Sequence, residues 1–166
     1  MRLDVHFPGR LVWRDREFRC ALGRSGIKKN KAEGDGTTPV GEFPLRRVLY
    51  RAGRVVAPVT ELPVSPIAEN DGWCDDPLDR AYNRQITRPY SGGSESLWRE
   101  DHFYDLIVVL GHNDDPVVAG AGSAIFLHLA ADDFAPTAGC IAMTAAGLRE
   151  ILAICGRSAV LAVHPV

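Results

Sequence analysis

The chain lacks any apolar run near the ~20 residues needed to span a membrane. It also lacks an excess of one charge, since 19 basic and 21 acidic side chains give a net charge of −2. That balance speaks against a nucleic-acid partner held by a broadly basic face. No C-x-x-C pair is present: Cys20, Cys74, Cys140 and Cys155 are widely separated, which argues against a zinc ribbon. Their even number is no evidence for disulfides in a chain of 166 residues, though it does not exclude them. Met1-Arg-Leu-Asp-Val-His6 lacks the basic start and apolar run of a signal peptide. This leaves a mature or truncated form, a cytosolic form, or another export route. No internal repeat is visible.

The content is that of an ordinary globular protein, with 46% apolar and 24% charged residues. The length favours one domain over residues 1–166 with a sizeable core. Leu3, Val5 and Phe7 alternate with polar neighbours, as a half-buried strand does. Arg14-Asp-Arg-Glu17 reads as the connection of a hairpin. Gly23 to Pro39 reads as loop, with a turn at Gly34-Asp-Gly-Thr-Thr-Pro39. A strand follows Pro44. Residues 65–104 show no persistent period and read as a long irregular loop, anchored by Trp73, Tyr82, Tyr90, Trp98 and Tyr104. Leu106-Ile-Val-Val-Leu110, Ala124-Ile-Phe-Leu-His-Leu129 and Ala159-Val-Leu-Ala-Val-His164 have the length and composition of strands. Thr144 can cap a helix bearing Leu148, Ile151, Leu152 and Cys155 on one face, stopped by Gly156. The prediction is a mostly β fold with one main helix.

The segment from Phe126 to Cys140 carries the chemistry. It places His128 at the end of an apolar strand and Cys140 after Thr137-Ala-Gly139. A thiol near neutral pH needs a base to become a nucleophile, and this pair can supply both. Gly139 permits a sharp turn and a close approach to the backbone. An inert buried thiol is the alternative for any single cysteine. Cys20 and Cys155 read as core. Cys74 can pack under the loop, form a disulfide or border a cleft.

Three motifs carry a family resemblance. Gly34-Asp-Gly-Thr-Thr-Pro-Val-Gly-Glu-Phe43 resembles the G-D-G-x-T-P-x-G-x-F stretch of L,D-transpeptidase (YkuD-type) catalytic domains. Ala124-Ile-Phe-Leu-His128 resembles the strand bearing their catalytic histidine, and Thr137-Ala-Gly-Cys-Ile141 their S/T-H-G-C signature. The likeness spans residues 2–164. It implies a YkuD-like β-sandwich with the histidine and cysteine at a shared cleft. It also implies that Cys140 attacks a carbonyl of a peptidoglycan stem peptide, forming a thioester that passes to an amine of a second stem. His128 would move the protons, and the N–H groups of Gly139 and Cys140 would face the oxyanion. A backbone carbonyl would orient the imidazole, so Asp132 and Asp133 are not expected in a triad. No metal or organic cofactor is implied. Carbapenem-type inhibitors are plausible acylating agents, and the substrate class points to the periplasm.

The chain departs from the family pattern at Ala138, where histidine is usual, and at Ala142, where arginine is usual. Only eleven residues separate His128 from Cys140, fewer than is common. The missing guanidinium would have offered a fork to a donor carboxylate. Arg84, in Ala81-Tyr-Asn-Arg84, is the expected replacement from the long loop. Tyr82, Asn83, Trp73, His112, Thr137 and Ala138 complete the expected substrate-binding set. For the aromatic residues a purely anchoring role weighs equally, and for His112 a structural bond to a loop carbonyl is slightly favoured over a substrate contact. An altered donor and a linkage such as 1-3 rather than 3-3 are the other consequence. The alternatives are a carboxypeptidase, endopeptidase or amidase using the same pair, or an inactive peptidoglycan-binding module.

Overall fold

The computed structural model describes residues 1–166. Apolar residues alternate in β1 (Arg2–His6), and Leu3 and Val5 are wholly buried. β2 (Arg10–Trp13) and β3 (Arg16–Ala21) form the expected hairpin, with Arg14 turning at a φ of 54°. The stretch after Gly23 is mostly loop, as expected, but holds the two-residue parallel pair β4 (Ile27–Lys28) and β5 (Thr38–Pro39).

β6 (Gly41–Tyr50) is the long element, and it starts before Pro44 rather than after it. Its first half pairs with β14 (Val160–Val163) and its second half with β11 (Leu106–Leu110). β7 (Val64–Pro66) adds a parallel edge to it. β12 (Phe126–Leu129) lies between β11 and β13 (Ile141–Met143), and β13 pairs with β3. With β1 beside β14, the strand order β11-β12-β13-β3-β2-β1-β14-β6 closes on itself through the β11–β6 pairing. Such closure leaves few unpaired edges.

The interior holds Leu3, Val5, Leu11, Val48, Leu127 and Ile141 among 24 clustered buried side chains. Helix α1 (Ala145–Ile154) adds Leu148, Ile151 and Leu152 to them. Thr144 caps it, its Oγ1 accepting from the Gly147 N–H at 3.2 Å. The helix stops at Ile154, one residue earlier than its apolar period, and Cys155 serves as the C-cap while staying in the core. No helix is long and apolar enough to cross a membrane.

Residues 65–104 correct the sequence reading. They are not irregular throughout: β8 (Asp71–Cys74), β9 (Gln85–Thr87) and β10 (Ser94–Ser96) form a three-stranded antiparallel sheet. Strands of three or four residues are too short to register as a period between prolines and glycines. This small sheet packs on the outer face of β11 and β12. There Ile67, Trp73, Leu97 and Tyr104 join Phe126 and Cys140 in a second cluster of nine buried residues.

Candidate active site

The two-residue period of the strands sorts the site. Leu127 and Leu129 of β12, like Ile141 and Met143 of β13, point into the main core. Phe126 and Cys140 point to the opposite face. β12 and β13 run parallel with His128 opposite Ala142. His128 and Ala142 share that second face, because side chains alternate along a strand. A cavity of about 280 Å³ opens there, lined by His128, Cys140, Ala142, Tyr104, Arg99 and Glu95. Thr137 and Ala138 also border it.

The turn around Gly34 stands behind the cysteine loop. The Asp35 carboxylate accepts from Lys31 Nζ at 2.6 Å, from the Ala32 and Thr37 N–H groups at 2.9 Å each, and from Thr37 Oγ1 at 2.8 Å. These bonds hold the Asp35 carboxyl well below its ordinary range despite its burial. A Cβ on Gly139 would lie 2.8 Å from the Thr37 carbonyl oxygen and 3.4 Å from Lys31 Nζ. Gly139 also has a φ of 143°. The first motif is therefore the wall that permits only glycine before Cys140. Thr137 fixes the loop from within. Its Oγ1 donates to the Cys140 carbonyl at 2.6 Å and accepts from the Gly139 N–H at 3.1 Å.

That last bond bears on the expected oxyanion donors. The Gly139 N–H is already engaged by Thr137. The Cys140 N–H makes no hydrogen bond within the chain and is the donor left for an oxyanion.

His128 is buried, and its Nδ1 lies 2.9 Å from the Leu129 carbonyl oxygen. A carbonyl only accepts, so Nδ1 carries the hydrogen and Nε2 is left as the acceptor atom. Desolvation lowers the imidazole from 6.5 to about 4, against the pull of the Leu129 carbonyl. The Tyr104 ring meets it edge-on at 5.3 Å.

Cys140 is equally buried. Its Sγ donates to the Ala124 carbonyl at 3.2 Å and accepts from the Phe126 N–H at 3.4 Å. No hydrogen bond joins it to His128. Burial pushes the thiol up to about 12, and Glu95 adds to this, while the Phe126 N–H, Lys31 and Arg99 act in the opposite sense. Thiol and imidazole are thus both neutral at rest.

A second cavity of about 170 Å³ meets Cys140 from the side of Ala124, with Lys31, Glu33, Asp75, Glu95 and Ala138 in its wall. Glu95 and Tyr104 line both cavities. Tyr104 Oη donates to Glu95 Oε2 at 3.1 Å. Sequence reasoning missed Glu95, Arg99 and Lys31. Each sits in a stretch without a motif, and only the packing of β10 and the loop after it against β12 brings the first two to the thiol.

The remaining expected residues lie behind the site. Asn83, buried with a φ of 57°, satisfies all four of its hydrogen-bonding positions. Its amide nitrogen donates to the His112 and Asn113 carbonyls at 3.0 and 2.8 Å. Its oxygen accepts from Trp73 Nε1 at 2.9 Å and from the Ala124 N–H at 3.1 Å. Tyr82 donates to Glu33 and accepts from the Gly122 N–H at 3.0 Å. His112 bonds the Ala121 carbonyl at 3.0 Å. Arg84 lines a different cavity, with Arg46, Arg47 and Trp73, which neither His128 nor Cys140 reaches. The guanidinium in the cleft is that of Arg99, tied to Asp101 by bonds of 2.9 and 2.6 Å. No group of three or more histidine, cysteine, aspartate or glutamate side chains is arranged to hold a metal ion.

The closed β fold sets His128 on β12 and Cys140 immediately ahead of the parallel strand β13, beside one cleft. The model of the L,D-transpeptidase catalytic domain, YkuD, matches residues 5–162. The chain belongs to that family. No curated protein and no solved structure matches it.

Proposed function

We propose that the domain is a cysteine acyltransferase acting on peptidoglycan stem peptides, with Cys140 as nucleophile and His128 as proton carrier. The observation that carries this reading is the placement of both side chains on one face, lining one cavity, with the Cys140 N–H unpaired beside them.

The proposed sequence starts from a neutral pair. A donor entering the cleft draws the thiol away from Ala124 and toward Nε2 of His128. The imidazole takes the thiol proton as Sγ attacks the carbonyl carbon. The Cys140 N–H meets the developing oxyanion, a contact worth roughly 3 kcal/mol where such donors have been removed. Collapse breaks the donor amide, and His128 returns the proton to the leaving amine. A thioester remains. An amine of a second stem then displaces Sγ, forming the cross-link. The small side chains of Ala138 and Ala142 leave the cleft open where the usual family histidine and arginine would stand. That space supports a donor other than the usual tetrapeptide, and a linkage through the first stem residue. A substrate of this kind places the domain in the periplasm.

Acylation by a carbapenem, read by intact mass, tests the nucleophile. One adduct is expected on the native protein and none on Cys140→Ala. Muropeptide analysis then tests transfer: a new cross-linked dimer is expected, whereas shortened stems alone would make the domain a hydrolase. A non-catalytic binding module finds support in the resting bond from the thiol to Ala124. Absence of any adduct would favour that reading instead.

A further inference from the structure

The proposed transfer needs two chemically different partners at one thiol, and the site has two cavities that meet there. One holds His128, with Phe103, Pro136 and Ala142 as its apolar walls. The other is charged and lacks the imidazole. An amine acceptor reaching the thioester from the charged side needs a base that His128 does not provide there. At neutral pH a primary amine is an ammonium ion, and it attacks only after losing a proton.

Glu95 is the one carboxylate common to both cavities, and Tyr104 fixes it by a 3.1 Å bond to Oε2. Its other oxygen has no partner within the chain, and no cation lies within ion-pair distance of either. Resting on the acyl-transfer reading above, we propose that Glu95 is the acceptor-side base: it binds the acceptor's ammonium group in the charged cavity and takes a proton from it.

One ammonium proton passes to the Glu95 carboxylate. The freed nitrogen lone pair attacks the thioester carbonyl. The C–N bond forms, the C–S bond breaks, and Sγ leaves with the electron pair. The second proton passes from the new amide nitrogen to the departing Sγ. Glu95 then gives its proton to water.

The surroundings agree with this role. Desolvation raises Glu95 to about 7, with Asp75 and Glu33 adding to it and the Tyr104 hydroxyl and Arg99 opposing. A base is most effective when it titrates near the working pH. The same carboxylate lifts the Cys140 thiol, so a cation arriving at Glu95 also relieves a charge that disfavours a thiolate leaving group.

The test compares two nucleophiles on the same acyl-enzyme, using muropeptides from digested sacculi as donor. Ethylamine is cationic near neutral pH and needs the base; hydroxylamine is largely neutral and does not. The quantity read is the ratio of ethylamine adduct to hydroxamate. Glu95→Gln, which keeps the shape, is expected to lower that ratio about tenfold or more, whatever it does to acylation. Tyr104→Phe keeps the ring and is expected to lower it by a smaller factor. A damaged fold would depress both products together and leave the ratio standing. An unchanged ratio in variants that form the acyl-enzyme at the native level overturns the proposal. Failure of the native protein to form any acyl-enzyme overturns the acyl-transfer reading itself, and the role of Glu95 with it.

Discussion

The Cys140 thiol hydrogen-bonds to the carbonyl of Ala124 at 3.2 Å and makes no hydrogen bond to His128. Ala124 is held in a left-handed conformation, with a φ of 52°, which a non-glycine residue adopts only under constraint. The constraint comes from Asn83, whose side-chain oxygen binds the Ala124 N–H. The resting site is therefore a neutral thiol parked on a braced carbonyl.

Alkylation should report this state. A thiol pushed up to about 12 leaves almost no thiolate at neutral pH. Carbamidomethylation of Cys140 by iodoacetamide, mapped by peptide mass, should be slow near neutrality. Its rate should climb about tenfold per pH unit into the alkaline range, following the thiolate fraction. A rate that reaches its plateau below neutral pH would show a preformed thiolate–imidazolium pair and contradict the neutral resting state.

Two groups beside the thiol oppose each other in their effect on stability. His128 drops from 6.5 to about 4 on folding, so below 6.5 the unfolded chain binds a proton that the native one refuses. Its contribution to stability therefore falls as pH falls through that window, by roughly 3 kcal/mol. Glu95 rises from 4.5 to about 7, so above 4.5 the native chain keeps a proton that the unfolded one has lost. Its contribution falls as pH rises. His112 is lowered and adds to the first slope, while Asp75 is raised and adds to the second. Between about pH 4.5 and 6.5 the native protein should show a shallow profile in urea unfolding. Glu95→Gln should expose a loss of stability toward acid, and His128→Gln a loss toward neutrality. Parallel profiles for all three proteins would rule out the opposition.

Asn83 should matter more to stability than its position outside the cleft suggests. Truncation to alanine strands the Trp73 Nε1–H, the Ala124 N–H and two carbonyls at once. Asn83→Ala is expected to cost about 2–3 kcal/mol in denaturant unfolding, the range for orphaned buried polar groups. Asn83→Asp should cost more, because it sets carboxylate oxygens against the His112 and Asn113 carbonyls. A cost within ordinary surface values would mean that water replaces these bonds.

The parts of the fold legible in the sequence are those with a repeating physical signal. The apolar run at Leu106–Leu110 and the Thr144 cap each follow a local rule, and both stand as read. The pairing of His128 with Cys140 at one cleft was legible because glycine, thiol and imidazole occupy a known pattern. The small sheet at residues 71–96 was not, since its strands are shorter than any period. The Gly34 turn reads as structural from its sequence, but the residue it supports was hidden for another reason. Its contact with Gly139 crosses about a hundred residues of chain, and steric exclusion of a Cβ leaves no local trace. Arg99 was hidden likewise: nothing near it in sequence marks it as a residue of the cleft.

Arg99 and Arg84 supply the last prediction. The family arginine is replaced by Ala142, and the sequence alone favoured Arg84 as the substitute. Arg84 sits in the cavity beside Arg46 and Arg47, away from the thiol. Arg99 lines the cavity of His128, stacked over Tyr104 at 5.0 Å and oriented by Asp101. A planar, oriented guanidinium suits a donor carboxylate. Arg99→Ala is expected to raise the donor KM by roughly tenfold, the value of one charge-assisted hydrogen bond. Arg84→Ala is expected to leave it near the native value. Arg99→Lys should recover only part of the loss, because an ammonium cannot reproduce the fork. The reverse pattern, with Arg84 sensitive and Arg99 silent, would require the donor to approach through the other cavity and would displace the cleft assignment altogether.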